Sequence, residues 1–118
     1  MKLTDKQISY FLDRINLIRV NLGFSEFRVN LNPEITNYDE EAKWAEVGVD
    51  IYENEFTIQF SDKFISADTK RQDNIIVHEF IHGLLNYNKL RARACNSSDA
   101  YEFFEEDFVN RITKIIEG

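Results

Sequence analysis

Both histidines of the chain fall four positions apart in His78-Glu79-Phe80-Ile81-His82, inside a stretch whose apolar residues Ile75, Ile76, Val77, Phe80, Ile81, Leu84 and Leu85 recur as in a helix. At that spacing two side chains share one helix face and stand about 6 Å apart along the axis, so both imidazoles can close on one ion. Glu79 points about 100° away around the helix, outside the inner shell but within reach of a water on such an ion. The motif therefore offers two ligands and one base. Apolar residues lie nearly all round this helix, so it is expected to be buried, and a polar trio survives burial only when paired or metal-bound. The bland alternative is two ordinary histidines on an amphipathic helix.

The rest of the chain predicts an α+β frame. Thr4 and Gln7 make a capping box for a helix whose stripe is Ile8, Phe11, Leu12, Ile15 and Ile18, ended by Asn21 and Gly23. Residues 26–31 alternate as a half-buried strand that stops at Pro33. Val47, Val49 and Ile51, then Phe56, Ile58 and Phe60, alternate around a turn at Glu53-Asn54, which predicts a hairpin and, with 26–31, an antiparallel sheet of about three strands. Residues 61–68 read as a loop, and Thr69 with Gln72 as a second capping box for a helix reaching about Tyr87. A polar loop over 86–98 and a last helix from Asp99 to about Glu117 complete the expectation.

The length of 118 residues suits one domain over 1–118, and ten Phe with five Tyr predict an aromatic core. A net charge of −7 opposes binding to nucleic acid or anionic membranes, which leaves a protein or peptide as the expected partner. Its sign steers weakly toward basic peptide segments. Lys89, Arg91 and Arg93 beside Lys70 and Arg71 read as a solvated, charge-balancing patch without a function. The first fourteen residues carry Lys2, Asp5, Lys6, Asp13 and Arg14 rather than the apolar run of a signal peptide, and no stretch approaches membrane-spanning length, so a cytoplasmic location is expected. Cys95 is alone, which excludes an intrachain disulfide and a cysteine-rich zinc finger; it reads as a loop thiol, with metal coordination as the alternative.

A hydrolytic zinc site takes three protein ligands and one water, so with both histidines used the third must be a carboxylate or Cys95. The last helix offers several. Its stripe is Tyr101, Phe104, Phe108, Val109, Ile112 and Ile116, and Glu105 sits inside that stripe, where a carboxylate needs a partner. Glu102 and Glu106 lie nearer its edge and stay open as alternatives, and Glu105 could instead bond a histidine or Arg111.

With these residues in view, the chain resembles the small glutamate-type zincins, minimal gluzincin metallopeptidases that include short ones encoded by phages and mobile elements. The resemblance rests on His78-Glu79-Phe80-Ile81-His82 and on Glu105-Glu106-Asp107-Phe108-Val109-Asn110-Arg111-Ile112, with the 44–60 hairpin similar in kind to the family's sheet. It implies one Zn2+ per chain bound by His78, His82 and Glu105, Glu79 as catalytic base, and the strand over 55–60 as an edge that holds an extended peptide. Gly83-Leu84-Leu85-Asn86-Tyr87-Asn88 lacks the further glycine and histidine of metzincins, which excludes that branch.

The expected function is therefore hydrolysis of peptide bonds by a zinc-activated water with Glu79 as general base. Tyr87, Tyr101 or an arginine near Arg91 could stabilise the oxyanion. The competing reading is a noncatalytic zinc-binding domain that acts by binding another protein. A facial-triad iron oxygenase has no need of Glu79, and a di-iron bundle needs further histidines that the chain lacks.

Overall fold

The computed structural model describes residues 1–95 and Asn110. Helix α1 (Asp5–Asn21) starts as its sequence predicts, with the Thr4 side chain accepting from the Gln7 N–H and the Gln7 side chain accepting from the Thr4 N–H. Its end is a Schellman turn: Gly23 at φ +80° lets its own N–H reach the Val20 carbonyl while the Phe24 N–H reaches Arg19. Arg19 then donates to the carbonyls of Ser25 and Phe27 and so fixes the passage into strand β1 (Arg28–Leu31).

After the short helix α2 (Tyr38–Glu41), strands β2 (Ala45–Asp50) and β3 (Glu55–Phe60) form the expected hairpin, with Val47 opposite Ile58 and Val49 opposite Phe56. The Asp50 carboxylate accepts from the N–H groups of Tyr52 and Glu53, and Asn54 closes the turn at φ 50°. The sheet order is β1-β3-β2. An all-antiparallel sheet was the expectation, and it needs correction: β1 pairs with β3 in parallel, Val29 opposite Phe56. The tight hairpin forces β2 antiparallel to β3, whereas the direction of β1 depends on how α1 and the connection over 32–44 pack, which no strand periodicity encodes. A second correction follows from the order. Strand β3 is central, between β1 and β2, so 55–60 is not an edge; among the described residues β1 and β2 are the edges.

The expected loop after β3 contains helix α3 (Asp62–Ile65), capped by Ser61, whose buried Phe64 ring stacks on Phe60 with centroids 3.7 Å apart. Helix α4 (Thr69–Cys95) follows. Its cap is Asp68 rather than Thr69, since the Asp68 carboxylate accepts from the Arg71 N–H and its carbonyl from the Gln72 N–H. The Gln72 side chain is spent elsewhere: its amide donates to the carbonyl of Phe64, and its oxygen accepts from Arg14 on α1.

Two further expectations change along α4. The helix does not stop near Tyr87 but runs on to Cys95 through what reads as a polar loop. Leu84, Tyr87, Asn88 and Ala92 continue its buried face, and the Lys, Leu, Arg and Ala between them are good helix formers. The same continuity separates Arg71 from Arg91 by about 30 Å of helix, so the basic residues do not form one patch. Nor is α4 buried all round: Ile76, Glu79, Phe80, Gly83 and Leu84 face inward, while His78 and His82 lie on the exposed side.

The core is aromatic, as composition predicts, built from Phe24, Phe27, Phe56, Phe60, Phe64 and Phe80 with Ile15, Ile58 and Ile76. The result is a small α+β domain. Among the described residues no helix is long and apolar enough to cross a membrane. The expected last helix, with Glu102, Glu105 and Glu106, lies outside the described residues apart from Asn110, which is helical.

Candidate metal and catalytic site

Helical spacing does for His78 and His82 what the sequence predicts. Their rings meet edge to face with centroids 4.5 Å apart, and the two Nε2 atoms come within 2.9 Å. Burial and then the neighbouring His78 push the pKa of His82 below its ordinary 6.5, which favours the neutral imidazole that a metal requires.

Glu79 turns inward from the pair, only 8% exposed, toward the start of β2. Burial raises its pKa from the ordinary 4.5 to about 7; Glu46 on β2 adds to the rise and Lys43 opposes it. A carboxyl at that value can take and release a proton near neutral pH.

Between α4 and β2 lies an open cleft of about 450 Å³, in which Ile75, His78, Glu79, His82 and Asn86 face the residues from Lys43 to Val47. Sequence reasoning missed the β2 side of this cleft, because nothing in an alternating strand tells which helix it will lie against. Asn86 was missed for another reason: it reads as a loop residue, yet it follows His82 by four positions on the continuing helix and shares its face. An i, i+4 extension of the histidine row would have found it.

Tyr87 leaves the set of oxyanion donors. It is buried on the opposite side of α4, its ring edge-on to Phe27 and its hydroxyl donating to Asn54 while accepting from Arg91, which is thereby also turned away from the cleft. Cys95 ends α4 about 20 Å of helix beyond His82, too far to join the pair from that position.

Two imidazoles on one tetrahedral zinc place their nitrogens about 3.3 Å apart, given Zn–N bonds of about 2.0 Å. The 2.9 Å separation here is within a small side-chain rotation of that value, so the donor pair fits the ion. Among the described residues no third His, Cys, Asp or Glu joins them. No protein-family model, curated protein or solved structure matches the chain.

Proposed function

We propose that the chain is a zinc-dependent metallopeptidase of the small gluzincin kind. The observation that carries this reading is the convergence of the His78 and His82 Nε2 atoms beside a buried carboxyl, Glu79, whose pKa lies near 7. Bound zinc would supply a polarised water and a Lewis acid for the scissile carbonyl. His78 and His82 hold the ion through neutral imidazoles, and a glutamate of the 99–117 segment, Glu105 before Glu102 or Glu106, completes the set.

Glu79 accepts the proton of the attacking water and delivers it to the leaving amine. Its depth in the cleft keeps solvent from levelling its pKa, and Glu46 on β2 favours the protonated form that the second transfer needs. The substrate lies as an extended peptide along the edge of β2 that is unpaired among the described residues, which takes the place expected for 55–60. Asn86 is the amide in the cleft that can orient a peptide carbonyl. A lone cysteine suits the reducing cytoplasm as the site of action.

The test is cleavage of an unfolded protein by zinc-supplied wild type and by Glu79→Gln. Hydrolysis that disappears in Glu79→Gln while zinc content stays equal supports the assignment. Zinc bound by both with no hydrolysis by either leaves the competing reading, a noncatalytic zinc-binding domain that acts on a protein partner.

A further inference from the structure

Two cations flank the cleft without lining it. At one end Trp44, the residue before β2, receives two cations: the Lys63 ammonium stands 4.7 Å from its ring centroid and the Arg71 guanidinium 4.9 Å. Lys63 is also 4.0 Å from the ring of Tyr38, which meets Trp44 edge to face. Such contacts hold a long side chain in place while leaving its charge uncompensated.

Among the described residues neither Lys63 nor Arg71 forms an ion pair. Asp39 and Asp62 share the adjoining depression with Lys63, and the Asp62 carboxylate accepts from the N–H groups of Tyr38 and Lys63. Helix stability does not explain the arrangement either, because Lys70 and Arg71 occupy the first turn of α4, where the helix dipole disfavours cations.

Ile75, His78 and His82 line the cleft, and Arg71, four positions before Ile75, continues their row along α4 beside Trp44. Arg71 precedes His78 by about 10 Å of helix rise, which an extended peptide covers in about three residues. We propose that the Trp44 end of the cleft selects peptide substrates by an acidic side chain, held by Arg71 and Lys63 about three residues from the reacting bond. This rests on the peptidase reading and reverses, locally, the preference for basic segments that the net charge of −7 suggests.

The test uses the Glu79→Gln chain supplied with zinc and short fluorescein-labelled peptides that differ only in one Glu, Gln or Lys moved through successive positions. At one position, the Glu peptide is expected to bind about five-fold more tightly than the Gln peptide, as an exposed charge contact allows, and the Lys peptide more weakly than either. The preference should fade at high salt and vanish when Arg71→Gln and Lys63→Gln, both at exposed positions, are combined. Equal affinity for the three peptides at every position, a preference that survives the double variant, or no binding at all would overturn the proposal. Charge-selective binding without cleavage by the wild type would uphold this selection and remove the peptidase reading. Cleavage indifferent to the acidic residue would do the reverse.

Discussion

The ring of Phe56 lies 3.1 Å from where a β-carbon on Gly83 would stand, so α4 touches β3 through a bare backbone one residue beyond His82. Phe56 is fully buried among Phe24, Phe27 and Phe80, which leaves it nowhere to move. Gly83→Ala gains about 1 kcal/mol of helix propensity and loses about 1–3 kcal/mol to overpacking. Net destabilisation is expected, and Gly83→Val should be worse. Urea unfolding of both variants checks this; a stabilised Gly83→Ala would show that the contact yields.

Arg14 ties α1 to the start of α4 through Gln72, the Thr69 carbonyl and the Asp73 carboxylate. Its removal leaves the buried Gln72 oxygen without that donor, at a cost of about 1–3 kcal/mol. Arg14→Ala should therefore unfold at lower urea concentration than wild type, and a change below about 0.5 kcal/mol, the size expected of an ordinary surface substitution, would refute the tie.

Glu79 makes the metal-free chain sensitive to pH in a defined direction. Its pKa rises from 4.5 to about 7 on folding, so the folded state binds this proton more tightly than the unfolded state. The stabilising contribution is complete below about pH 4.5, declines as pH rises toward 7, and is absent above. Chemical denaturation across that range, in a chelator, should show a decline in wild type that is missing in Glu79→Gln. Parallel profiles for the two chains would contradict the burial of this carboxyl.

Zinc should bind near one ion per chain and stabilise the fold. A free concentration about 100 times the dissociation constant adds about 2.7 kcal/mol, a rise in Tm of several degrees. His78→Ala and His82→Ala should each lose the metal and the rise while keeping the metal-free Tm, since both side chains are exposed. A rise that persists in either variant would place the ion elsewhere.

Metal content should also rank the carboxylates of the 99–117 segment. Glu105→Ala is expected to lower zinc occupancy sharply, and Glu102→Ala and Glu106→Ala to leave it near wild type. The opposite order, read by mass spectrometry of the purified chains, would move the third ligand to whichever glutamate proves sensitive.

What the sequence determined by itself is local. The capping box of Thr4 and Gln7, the helical end at Gly23, the β2–β3 hairpin and the shared face of His78 and His82 follow from spacings of two, three and four residues, which backbone geometry turns directly into neighbours. Where sequence reasoning failed locally, at Thr69 and beyond Tyr87, a rival local signal won: Asp68 is the better cap, and Tyr87, Asn88 and Ala92 continue a buried face that polar composition conceals. Tertiary structure alone decided that β1 runs parallel to β3, that β3 is central with β2 beside it, and that Glu46, Lys43 and Trp44 stand across from the histidines. Those relationships join segments 27 or more residues apart, and packing of whole elements selects them. No repeat in the chain records the choice, yet it gives Glu79 the surroundings that move its proton affinity to neutral pH.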